Sequence, residues 1–148
     1  MRIVTDDSDN VAAWVAQRIP GLERGFGPCA AIGVADETGR AVAGFVFHDM
    51  QSWPDGATIQ LSLASDDPRW LRQRKRIAKA VLFYPFYTAK VWKLWTAIPH
   101  TSDRTLKLGQ VFGFTREAML VDQFGRKKHA FISRLFRKDY DRIYGVPN

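Results

Sequence analysis

The rhythm of apolar and polar positions changes at residue 29. Before it, Val11, Trp14, Val15, Arg18 and Ile19 recur at helical spacing, with Asp9 placed to cap and Pro20 and Gly21 placed to stop the run. From Cys29 onward the period shortens to two. The stretches CAAIGVAD and AVAGFVFHDM predict a hairpin through the polar turn ETGR. ATIQLSLAS sets Ile59, Leu61 and Leu63 against Gln60 and Ser62, a third strand with one apolar face. Later, KVWKLWTAIP predicts a strand, SDRTLKLGQVF a helix closed by Gly113, and FTREAML and KKHAFISRLF two strands around a turn at Gly125.

Between these groups lies DDPRWLRQRKRIAKAVLFYPF, residues 66 to 86. Asp67 can cap and Pro68 suits the first helical position, so a helix is expected from there to Tyr84. At 100° per residue, Trp70, Leu71, Ile77, Ala78, Val81 and Leu82 share one side, and Arg72, Lys75, Arg76 and Lys79 the other. Arg74 falls on the apolar side, where a guanidinium needs an anionic or carbonyl partner such as Asp49 or a ligand phosphate. A strand–helix–strand passage within one sheet is a parallel crossover. The predicted class is therefore α/β (α+β), a mixed sheet flanked by helices.

The chain has 148 residues, 46% of them apolar, which suits one domain, residues 1–148, with a core of its own. No repeat or Pro/Gly/Ser-rich linker divides it. A net charge of +7 favours an anionic partner without saying which. The single cysteine, Cys29, excludes an intrachain disulfide and points to a reducing compartment. No apolar run approaches the roughly 20 residues that span a bilayer, and the first ten residues are too acidic for a signal peptide. The expectation is a cytoplasmic protein with no membrane association. His48, His100 and His129 share no ligand spacing, so no metal is expected, and Cys29 has no His near it in sequence to activate its thiol.

With these elements in place, the segment IPHTSDRTLKLGQVFGF resembles a motif of the GNAT family of N-acetyltransferases. Ile98, Pro99, Arg104, Leu106, Leu108, Gly113 and Phe114 match it in register. WVAQRIP, FGPCAAIGV, AGFVFHDM, VLFYPF and FISRLFRKDY extend the likeness over nearly the whole chain, nearest to small members encoded by tailed bacteriophages. The resemblance implies a sheet whose fourth and fifth strands run parallel and splay apart. It also implies acetyl-CoA as cosubstrate, with contacts from Leu63, Arg69, Trp70, Leu71, Arg72, Gln73, Arg74 and Ser102.

Two departures qualify that picture. The family's phosphate loop has small residues where this chain has Arg72 and Arg74, and the family's usual acid, a tyrosine, aligns with Gly109. Acetyl transfer to an amine still requires a proton acceptor, a donor to the thioester carbonyl and proximity. His48, Gln60, Ser62 and Thr96 on the central strands are the candidates. The leading reading is an acetyl-CoA-dependent N-acyltransferase acting by direct attack on a small-molecule or protein amine acceptor. The alternative is a catalytically inactive GNAT-like phage protein serving as a binding or virion-associated module. A nucleic-acid-binding domain ranks third, since core packing accounts for most of the aromatics. Oligomeric state, homodimer included, is left open.

Overall fold

The computed structural model describes residues 1–147. In chain order the elements are β1 (Arg2–Val4), α1 (Ser8–Ala16), β2 (Cys29–Ala35), β3 (Ala41–Trp53), β4 (Gly56–Ser65), α2 (Arg74–Phe83), β5 (Lys93–Pro99), α3 (Asp103–Phe112), β6 (Thr115–Leu120), β7 (Ala130–Phe136) and α4 (Arg137–Tyr144). The seven strands form one sheet in the order β1-β2-β3-β4-β5-β7-β6. Every neighbouring pair is antiparallel except β4 and β5, which run parallel across the crossover through α2.

Alternation along the strands sorts side chains onto two faces. On one, Phe45, Phe47, Ile59, Leu61 and Leu94 pack with Ile77, Ala78, Val81 and Leu82 of α2, Phe112 of α3 and Tyr140 of α4. On the other, Ala31, Val46 and Ala64 meet Val15 of α1, with Val11, Trp14 and Phe26 around them. Gly44 lets α1 lie close: a Cβ there would sit 2.5 Å from Val15 Cγ2.

Several expectations are corrected. β1 and α4 lack a pattern strong enough to stand out: β1 has three residues, and RKDYDRIY buries only Tyr140 and Tyr144. Those tyrosines fasten α4 to the rest, Tyr140 donating to the carbonyl of Lys79 at 2.8 Å and Tyr144 to that of Phe112 at 2.9 Å. α1 begins beyond Asp7 rather than Asp9 and ends at Ala16, short of Pro20.

The helix expected from Pro68 to Tyr84 is three segments: a 3₁₀ stretch over Pro68–Gln73, α2, and a π turn over Tyr84–Thr88. Pro85 has no N–H to give α2, and the chain rewinds so that Ala89 N–H reaches Tyr84 O at 2.9 Å. The 3₁₀ winding also explains Arg74. At 120° per residue rather than 100°, it turns this side chain off the Trp70 side, and Arg74 is exposed, its Nη1 donating to Leu71 O at 3.2 Å. Asp49 is exposed as well and is not its partner.

Candidate active site

The β4–β5 ladder has only three rungs: Thr58 with Lys93, Ile59 with Leu94 and Gln60 with Trp95. Beyond them β4 continues to Ser65 along β3, and β5 continues to Pro99 along β7, but the two no longer pair. A wedge-shaped gap opens in the middle of the sheet, bordered by roughly 16 Å of β4. Backbone groups facing such a gap have lost their ladder partners and are offered to a ligand.

On the α1 face, at the closed end of this wedge, the residues are polar. Cys29, His48, Gln60, Trp95 and Arg134 form a row across β2, β3, β4, β5 and β7. His48 is 7% exposed and lies beneath Phe26, with ring centroids 4.8 Å apart. Its Nε2 is 2.8 Å from Ser62 Oγ and its Nδ1 is 3.1 Å from Asp49 Oδ2. A carboxylate only accepts, so it holds the proton on Nδ1 and leaves Nε2 to accept from the Ser62 hydroxyl. Burial pushes the His48 pKa down, against the opposing pull of Asp49, and favours the neutral ring.

A bulge builds this chain of contacts. Register slips between His48 and Gln51, where Asp49 takes a left-handed φ of 53°. The extra residues bend the strand and bring the Asp49 carboxylate back onto the ring beside it.

The basic segment starts the elements on the opposite face. Asp67 caps the 3₁₀ turn by accepting from the N–H of Arg69 at 2.9 Å, and holds the Arg69 guanidinium at 2.7 Å. Asp66 pairs with Arg18 at 2.9 Å. These partners hold both carboxyls below the usual carboxylate range. Trp70 is buried, its Nε1 donating to Ser65 Oγ at 2.8 Å, and the Gln73 side chain accepts from Arg76. Leu63 and Leu71 pack at the edge of the larger core. Arg72 and Arg74 pair with no carboxylate among the described residues, and Ser102 stands at the start of α3 without a side-chain capping bond.

Of the four central candidates, His48 and Ser62 are brought together and Gln60 lies across from His48. Thr96 stands apart, on the α2 face of β5. Asp49, the third member of the hydrogen-bonded chain, reads from sequence only as a partner for Arg74. Cys29 is a strand residue, as expected, but it is exposed and has His48 as its cross-strand partner. Both His48 nitrogens are engaged elsewhere, and burial together with Asp9 pushes the Cys29 thiol up, which keeps it a thiol. His100 and His129, distant in sequence, lie with ring centroids 4.9 Å apart, each Nδ1 accepting a backbone N–H. At Gly109 a Cβ would meet only Phe114 Cβ, at an ordinary 3.8 Å, so packing does not require a glycine there.

No protein-family model matches this chain, and no curated protein matches it in sequence. Its fold does match solved structures. A variant of the spermidine N-acetyltransferase SpeG from Vibrio cholerae is similar over 77% of this chain and 67% of its own, with a TM-score of 0.64 and 14% identity. The ribosomal-protein-S5-alanine acetyltransferase from Vibrio fischeri is similar over 76% of this chain and 63% of its own, with a TM-score of 0.62 and 11% identity. A SpeG chimera with hSSAT extends the likeness to 89% of this chain and 78% of its own, at a TM-score of 0.64 and 13% identity. The mixed sheet with its parallel β4–β5 pair is thus the fold of the GNAT acetyltransferases, and the chain spans about two thirds of the first two neighbours.

Proposed function

We propose that this chain is an N-acyltransferase that moves an acetyl group from acetyl-CoA to an amine, the acceptor being a small molecule or a protein amine. The observation that carries this reading is the gap between β4 and β5. There the two strands stop pairing after three rungs, the basic segment with Arg72 and Arg74 follows directly on the end of β4, and a proton-accepting chain lies on the α1 face.

The residues fit such a cosubstrate, in a modified way. One of the N–H groups that a helix start would offer to phosphate, that of Arg69, is already taken by Asp67, so the phosphates rely more on the side chains of Arg72 and Arg74. Gln73 lies between them in the chain, Ser102 opens α3, and half-buried Leu63 and Leu71 supply apolar surface over the wholly buried Trp70. When bound, acetyl-CoA supplies an acyl thioester, and with it a carbon open to attack.

On the other face, Ser62 Oγ accepts a proton from the incoming ammonium while its own proton passes to His48 Nε2. Asp49 then steadies the imidazolium through Nδ1–H. Neutral His48 is the form this relay needs, and burial supplies it. Gln60 and Trp95 floor the acceptor's approach.

Two measurements test the reading together: isothermal titration of acetyl-CoA into the protein, and release of the CoA thiol across a panel of amines. Binding with amine-dependent thiol release is the expected result. Binding without turnover on any amine would favour a non-catalytic module. Absence of binding at near-millimolar acetyl-CoA would remove the reading.

A further inference from the structure

Thr96 Oγ1 is buried and has no hydrogen-bond partner among the described residues. Such a group is costly, because the hydroxyl gave up water on folding and received nothing in return. Its cross-strand neighbour Ser133 is also buried, yet the two hydroxyls are not joined. Thr96 follows Trp95, whose pairing with Gln60 is the last rung of the β4–β5 ladder, so it stands at the apex of the wedge. Alternation puts it with Leu94 and Ile98 on the α2 face, the face of the basic segment. A valine would fill the same space without the cost.

We infer that Thr96 is the donor that bonds the thioester carbonyl oxygen, resting on the acyltransferase reading above. The basic segment begins where β4 ends, at the open mouth of the wedge, so an arm entering from there brings its reactive end to the apex. A hydroxyl held there in a dry site bonds an oxygen that gains negative charge during transfer.

Thr96→Val and Thr96→Ser separate this role from a structural one. Without ligand, Thr96→Val is expected to melt at a higher temperature than the wild type, since an unsatisfied buried group is gone. The same variant should bind acetyl-CoA roughly three- to tenfold more weakly. Its affinity for free CoA, which carries no carbonyl at the sulfur, should be unchanged. Thr96→Ser should keep wild-type affinity for both.

Equal affinity of Thr96→Val and wild type for acetyl-CoA would overturn the inference and leave the acyltransferase reading standing. So would equal losses for acetyl-CoA and CoA, which would move the contact to the shared arm. A lower melting temperature for Thr96→Val would show that the hydroxyl has a partner in the free protein, such as a trapped water, and would overturn it too. A wild type that binds neither ligand would overturn the inference and the function together.

Discussion

Asp67 holds Arg69 twice, taking its backbone N–H and its guanidinium on one carboxylate. This contact resolves a conflict in the basic segment. Two aspartates just ahead of a phosphate site would repel it, but Asp67 is neutralised by Arg69 and Asp66 by Arg18. The same contact withdraws Arg69 from the set of arginines open to an anion.

Substitutions in this segment should therefore differ in effect. Arg74→Ala should weaken acetyl-CoA binding by roughly ten- to a hundredfold, and Arg72→Ala similarly, since each removes a charge-assisted contact. Lys79→Ala should leave affinity within a few-fold, and Arg69→Ala should fall between the two, because it frees the Asp67 carboxylate that Arg69 neutralises. Isothermal titration of the four variants checks this, and equal losses in all of them would reduce the segment to a diffuse positive field.

His48→Gln should lower kcat by about a hundredfold while binding of acetyl-CoA stays intact. The pH profile gives a second readout. Burial lowers the folded pKa of His48, so the acid limb of kcat/KM should lie below the ordinary histidine value of 6.5. Stability follows with a definite sign. The unfolded chain takes up the proton first as pH falls below 6.5, so the folded state loses stability from there down through the lower folded pKa. Urea unfolding of wild type between neutral pH and that range should show the loss, and His48→Gln should show less of it.

Gly113 closes α3 at a left-handed φ of 101°, and a Cβ there would run into Ile143 Cδ1. Gly113→Ala should cost about 1 to 3 kcal/mol through backbone strain, with the displaced Ile143 adding to it. Chemical denaturation measures the difference. Loss of less than half a kcal/mol would mean that α3 ends differently in solution.

Cys29→Ser should leave turnover within a few-fold of wild type. The thiol is kept protonated and the imidazole across the strand from it is already bonded on both sides. Turnover with each amine acceptor checks it, and a large loss with the fold intact would make Cys29 part of the chemistry.

Much of the fold is legible in the sequence because its strands alternate and its crossover helix has one apolar side. Ile59 and Leu61 on β4, and Ile77 and Val81 on α2, are read correctly from spacing alone. What escapes are features set by hydrogen-bond geometry rather than by polarity. Arg74 is misplaced because a sequence does not announce 3₁₀ winding, and the π turn follows from one missing N–H at Pro85. The site divides in the same way. His48 and Ser62 are identifiable as polar residues on central strands, but fourteen positions apart they do not read as a pair. Asp49 joins them only through a bulge, which depends on how many residues β3 sets against β4.

On the proposed reading, the three rungs between β4 and β5 would also act as a depth stop: a thioester arm descending the wedge would halt at Gln60 and Trp95, holding the carbonyl at one height whatever acyl chain lies beyond it. Longer chains would have to continue past the sheet toward Phe26 and α1, where the second core begins. On the proposed reading, selection for acyl length therefore rests with α1 and the segment after it, and selection for the CoA moiety with the turn before α2. Each could change in evolution without disturbing the other.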